Sequence, residues 1–268
     1  MHDRVSVHSI CFPTAGIEEL FECWRILGAR RVSFNSGQVL EAGPANMRAM
    51  LGAGGHHAET VTHIFRRGPL AARDVEADRA GLMEAIVAAA AIGAKSIYML
   101  TGGRGDMDWE AAADAFAAAI APCRAAARDA GVKLAIENTT PLYADAHLAN
   151  NLRDTITLAE IAEIGVCIDF FACWTEAGMR EQIKRAMPRC VLVQVSDYVF
   201  GDRALPCRAV PGDGAIPWPR LLQWLLEAGY MGTFDLELIG PRIDQEGKLE
   251  AVRRAADVVG TMLGSCGV

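Results

Sequence analysis

Short apolar runs alternate eight times with amphipathic segments along this chain, and no other feature restricts its fold as strongly. The runs cover residues 5–8, 31–34, 60–64, 95–100, 132–137, 165–169, 191–195 and 233–238. The amphipathic segments cover 17–27, 45–51, 72–92, 109–130, 152–164, 176–186, 217–228 and 248–263. Runs this short and this rich in β-branched residues, set between helix-like stretches, predict strands of a parallel sheet buried on both faces. Eight strands, each followed by a helix, predict an α/β fold of the (β/α)8 TIM-barrel type. Glycines fall where helices must stop, as in Ala91-Ile92-Gly93-Ala94 and Glu227-Ala228-Gly229-Tyr230. A doubly wound open sheet fits less well, because no G-x-G-x-x-G follows the first strand.

Length agrees with a single barrel over residues 1–268, since α/β barrels of roughly 250 residues run as one domain. A formal net charge of −7 argues against nucleic acid, whose binders carry a basic face, and leaves a small molecule as the expected partner. A homo-oligomer stays open. The eight cysteines form no C-x-x-C pair and several sit inside apolar runs, as reduced thiols do. The N-terminus has no signal-type apolar core and no apolar stretch is long enough to span a bilayer, so a cytoplasmic protein without a membrane segment is expected.

Four of the runs end in an oxygen donor: Glu137, Asp169, Gln194 and Glu237. In a barrel these strand ends converge on the face that carries chemistry, and three carboxylates with an amide crowd there only around a cation. Oxygen-only ligation favours Mn²⁺ or Mg²⁺; Zn²⁺ or Co²⁺ are the alternatives. Lysine chemistry has no candidate, because Lys95 and Lys133 begin strands on the opposite face and Lys184 and Lys248 lie in helical segments.

Several motifs in order carry a family resemblance: Lys133-Leu134-Ala135-Ile136-Glu137-Asn138, Val166-Cys167-Ile168-Asp169, Val193-Gln194-Val195-Ser196-Asp197, Val210-Pro211-Gly212-Asp213-Gly214-Ala215-Ile216-Pro217-Trp218, and Glu227-Ala228-Gly229-Tyr230-Met231-Gly232 ahead of Glu237. Together they resemble the xylose-isomerase-like TIM barrels of the sugar phosphate isomerase/epimerase superfamily over nearly the whole chain. The resemblance implies metal ligation by Glu137, Asp169, Gln194 and Glu237, with Gln at the third position as in the hydroxypyruvate isomerase branch. It also implies catalysis by Glu137 and Glu237, which would move a proton between neighbouring carbons through an enediolate while the metal holds a carbonyl and its adjacent hydroxyl.

One departure stands out: relatives often carry His three residues after the Asp of strand six, whereas this chain has Phe170, Phe171 and Ala172, then Trp174. Aromatic contact in place of hydroxyl recognition points to a bulkier or less hydroxylated substrate than a simple sugar. Phe170 and Trp174 are therefore expected substrate contacts. So are His8 and His63 near strand ends, Asp197, and Arg203, which resembles in place the arginine that holds substrate oxygens. The expected activity is a metal-dependent isomerase or epimerase on a sugar or small hydroxy-ketone. The alternative is a lyase or dehydratase of the same superfamily, resembling dehydroshikimate dehydratases or enzymes that cleave C-glycosides.

Overall fold

Each apolar run forms a strand, and the strands close on themselves. The computed structural model describes residues 1–70 and 74–268. In chain order the strands are β1 (Val5–His8), β2 (Arg31–Asn35), β3 (His57–Ile64), β4 (Ser96–Leu100), β5 (Lys133–Glu137), β6 (Gly165–Asp169), β7 (Cys190–Val195), β8 (Asp197–Tyr198), β9 (Arg208–Ala209) and β10 (Phe234–Leu236). Eight of them pair in parallel as a closed barrel, in the order β1-β10-β7-β6-β5-β4-β3-β2. The other two, β8 and β9, form a small antiparallel hairpin outside the barrel, just beyond the end of β7.

Helices return the chain between strands, the main ones at Ile17–Leu27, Val75–Ile92, Trp109–Asp129, Leu152–Ala162, Met179–Ala186, Trp218–Glu227 and Lys248–Ser265. The segment expected over 45–51 is instead two helices, Ser36–Ala42 and Pro44–Gly54, divided at Gly43 with φ 79°. Asn35 and Gln38 form a capping box that starts the first, and Pro44 starts the second where no amide donor is needed. The helix expected from residue 72 begins at Val75 behind an Asp74 cap; 72 and 73 lie outside the described residues. Gly93 ends that helix in the left-handed conformation that the sequence signal requires, with φ 76°.

Strand alternation sorts side chains into two cores. In β6, Val166 and Ile168 join the large apolar layer between barrel and helices, while Cys167 turns inward to meet Tyr98, Ala135 and Leu192 in the lumen. The lumen also holds polar groups, because Ser6 and Ser33 both donate to Oδ1 of the buried Asp235. At the N-terminal face, Glu59 pairs with Arg31 and Lys95, which keeps Lys95 away from the strand C-terminal ends. All eight cysteines are free thiols. Among the described residues no helix is long and apolar enough to cross a membrane.

Candidate metal centre

Glu137 and Asp169 are the last residues of β5 and β6, Gln194 is next to last in β7, and Glu237 directly follows β10. Their relative exposures are 8%, 2%, 0% and 4%, so four polar ends have been taken out of water together. Glu137, Asp169 and Glu237 line one cavity of about 280 Å³ at the C-terminal face, with His8, Thr62 and Tyr98. Gln194 sits against Glu237 and donates its Nε2 hydrogen to Oε1. Its own Oε1 is buried and has no hydrogen-bond partner among the described residues. A buried amide oxygen without a donor costs about 1–3 kcal/mol, so a group that such an oxygen can ligate is called for.

Arg208 reaches this cavity from β9. Its Nη1 and Nη2 fork onto Asp169 at 3.1 and 2.8 Å, Nη2 lies 3.2 Å from Glu237 Oε2, and Nη1 also meets Ser196 Oγ at 3.0 Å. The Phe171 ring carries the guanidinium on its face at 4.7 Å. Burial alone would disfavour the guanidinium charge, but Asp169 and Glu237 more than offset that and hold it charged. The motif that the sequence singles out, Val210-Pro211-Gly212-Asp213-Gly214, positions this arginine. Asp197 accepts the amides of Tyr198, Gly212 and Ile216 and so ties the hairpin to the following loop. A Cβ at Gly214 would lie 2.3 Å from Asp197 Oδ1, so only glycine allows that closure.

The two glutamates differ. Glu237 is engaged on both oxygens, since Tyr98 donates to Oε1 at 2.8 Å beside Gln194 and Arg208 faces Oε2. The Glu137 carboxylate has no hydrogen bond or ion pair among the described residues. Burial, then the nearby charges of Glu237 and Asp169, push its pKa well above the ordinary carboxylate range. His8 is buried and neutral, with its pKa lowered to about 3 by burial and then by Arg208. Its Nδ1 accepts the Ile10 amide at 3.0 Å, which assigns the proton to Nε2, 2.8 Å from Thr62 Oγ1 and 3.2 Å from the Tyr98 hydroxyl. His8 and Glu237 of the cavity, with Asp235 below them in the lumen, bring one ligand atom each within 4.8 Å of one another; Glu137 and Asp169 line the same cavity outside that group. The donor set, three carboxylates and an amide with a spare buried oxygen, fits a hard divalent cation.

A family model described as "Xylose isomerase-like TIM barrel" matches residues 25–259. The chain belongs to the xylose isomerase-like TIM barrel family. No curated protein matches it in sequence. Among solved structures, it is similar in fold to the IolI protein with a binding zinc atom, at 14% identity and a TM-score of 0.82 over 98% of both chains. It is similar to L-ribulose 3-epimerase at 16% identity, with a TM-score of 0.79 over 98% of this chain and 95% of that one. It is also similar to the probable 3-DHS dehydratase AsbF from Bacillus anthracis at 11% identity, with a TM-score of 0.77 over 96% and 98%.

In this xylose isomerase-like barrel several expected substrate contacts stand elsewhere, each for a geometric reason. Thr62 points inward to His8, so its strand neighbour His63 points outward and meets Ser36 Oγ at 2.9 Å. Phe170 is fully buried against Trp218, 5.5 Å between ring centres, and it is Phe171 that lines the cavity. Trp174 packs with Tyr198 and Phe200 on the outer side of the hairpin. Asp197 spends its carboxylate on backbone amides, as above. Arg203 is exposed and donates to the Tyr198 hydroxyl at 2.7 Å; the arginine that reaches the carboxylates is Arg208. Of the six, only His8 lines the cavity.

Two further residues fix the quartet from behind. Asn138 exchanges hydrogen bonds with the backbone of Asp169, Nδ2 to its carbonyl at 2.8 Å and Oδ1 from its amide at 3.0 Å. His147, in loop sequence with no useful spacing, is fully buried: Thr101 N–H donates to Nδ1 at 2.9 Å and Nε2 donates to the Glu137 carbonyl at 2.7 Å. Burial lowers its pKa from 6.5 to about 4. The unfolded chain therefore binds the proton first as pH falls, and the stability supplied by neutral His147 is lost from about pH 6.5 downward. Gln at this position is expected to remove that loss. Relative to wild type, the unfolding free energy of His147→Gln should rise by about 3 kcal/mol between pH 7 and pH 4 in urea titrations. Parallel profiles would mean that His147 does not titrate with unfolding.

Proposed function

We propose that this chain is a divalent-metal-dependent isomerase or epimerase that moves a proton next to the carbonyl of a sugar or small hydroxy-ketone. One observation carries the reading: Glu137, a carboxylate without a partner among the described residues, shares a small cavity with a fully engaged one, Glu237, beside a buried amide oxygen that likewise lacks a partner among them. The likeness in fold to L-ribulose 3-epimerase and to the IolI protein with a binding zinc atom supports it.

Glu137, Asp169, Gln194 and Glu237 would hold the ion. Bound there, it would polarise the substrate carbonyl and stabilise the negative charge that develops on oxygen. Glu137, whose carboxylate accepts no hydrogen bond among the described residues, is placed in the cavity to take the proton from carbon. Glu237, held by Gln194 and Tyr98, presents its Oε2 edge from the strand three places away in the barrel order and serves as the partner acid or base. Arg208, forked onto Asp169 and facing Glu237, and His8, held by Thr62 and Tyr98, line the same cavity and set the position of the carboxylate edge that the substrate meets. The apolar cavity wall described below also favours a second reading, a lyase that expels a leaving group after the same proton abstraction; the AsbF neighbour is described as a probable 3-DHS dehydratase.

Both readings are tested by incubating the protein in D₂O with dihydroxyacetone, ketoses and 3-dehydroshikimate, with Mn²⁺, Mg²⁺, Co²⁺ or Zn²⁺ or with EDTA. Products are then read by mass spectrometry. Deuterium in a molecule of unchanged composition supports the isomerase, and loss of water supports the lyase. Rates unaffected by EDTA would overturn the metal-dependent mechanism.

A further inference from the structure

The cavity has two chemically distinct layers, one near the strand ends and one mostly in the segments that follow them. His8, Tyr98, Glu137, Asp169 and Glu237 form its floor, and the residue two positions beyond each also lines the cavity and forms the next layer. Those residues are Ile10, Leu100, Thr139, Phe171 and Ile239, four of the five apolar. Leu205 and Pro206 from the hairpin loop extend the same wall. The polar groups in this layer are few, the hydroxyls of Thr139, Thr140 and Tyr143, and the two threonine oxygens already accept from Asn150 and from the Leu142 amide. A polyol chain lying there would exchange water for carbon and lose its hydrogen bonds, whereas an apolar group gains by leaving water. The volume of about 280 Å³ lies at the small end of ligand cavities, so the whole substrate is compact.

From these layers we infer that the substrate carries its oxygen-bearing, reactive end on the floor and one compact apolar group, of about the size of a phenyl ring or branched alkyl, against the wall. This inference rests on the proposed proton-transfer reading for the identity of the reactive end. It takes its apolar arm from the wall alone.

The test compares two hydroxy acids that share the oxygen-bearing head: mandelate, with a phenyl arm, and threonate, with a hydroxylated one. Binding to the Mg²⁺-loaded protein is measured by calorimetry. Mandelate is expected to bind at least about tenfold more tightly than threonate, and Ile239→Asn is expected to reduce that ratio to about threefold or less. Equal binding, tighter threonate, or a ratio untouched by Ile239→Asn would overturn the apolar arm. Deuterium exchange into dihydroxyacetone is followed on the same samples and reports the underlying reading separately. Mandelate preference without exchange would remove the proton-transfer chemistry and leave the arm standing; exchange without mandelate preference would do the reverse.

Discussion

Replacing Glu137 with Gln is expected to slow deuterium exchange next to the substrate carbonyl by about 100- to 10,000-fold, the range for loss of a positioned general base. Its fold should survive intact. The wild-type carboxylate is buried without a partner among the described residues, so exchanging it for a neutral amide of the same shape removes a desolvation cost rather than a bond. The midpoint of urea unfolding should therefore hold or rise while activity falls. Glu237→Gln contrasts with this, because its carboxylate accepts from Tyr98 and faces Arg208, and losing it should lower both activity and stability. Exchange by Glu137→Gln within tenfold of wild type would assign proton abstraction elsewhere.

The second large effect concerns Arg208. Its guanidinium supplies the positive charge that compensates buried Asp169 and Glu237, and removing one member of a buried ion pair typically costs about 3–5 kcal/mol. Arg208→Met should therefore lose about that much unfolding free energy at pH 8 in EDTA. A divalent cation placed among the same carboxylates would supply the missing charge. Mn²⁺ is accordingly expected to raise the melting temperature of Arg208→Met more than that of wild type, by mass action on the folded state alone. A loss under about 1 kcal/mol in EDTA, or equal Mn²⁺ shifts in both proteins, would show that the guanidinium and the cation do not serve the same carboxylates.

The barrel was legible because it is written in local pattern, and so was the face that Glu137, Asp169 and Glu237 share. An apolar run ended by a polar residue marks a strand end, and such ends in a parallel barrel share one face. What the pattern hides is the direction in which a side chain points. Around β3 the register shifts between Val32 and Ser33, where Ala58 and Thr60 become successive partners, so counting along the strand does not tell Thr62 from His63. At the end of β6 the chain turns directly into the short helix Phe170–Cys173, and the first aromatic goes to the core while the second goes to the cavity. Tyr98 was concealed inside an apolar run, where its hydroxyl gives no periodic signal. Arg208 lay beyond reach for another reason: its place depends on a hairpin of two-residue strands held by Asp197, and strands that short leave no alternation to read.

The loop that joins β8 to β9 brings together elements of both cavity layers. Leu205 and Pro206 belong to the wall, and Arg208, three residues after Leu205, belongs to the floor. The charge that balances the carboxylates and one end of the apolar wall thus sit within four residues of a single chain segment. A change in the length or shape of that segment would alter the grip on a cation and the fit of the substrate's distal group in a single event, whereas Ile10, Leu100, Phe171 and Ile239 can change the wall alone.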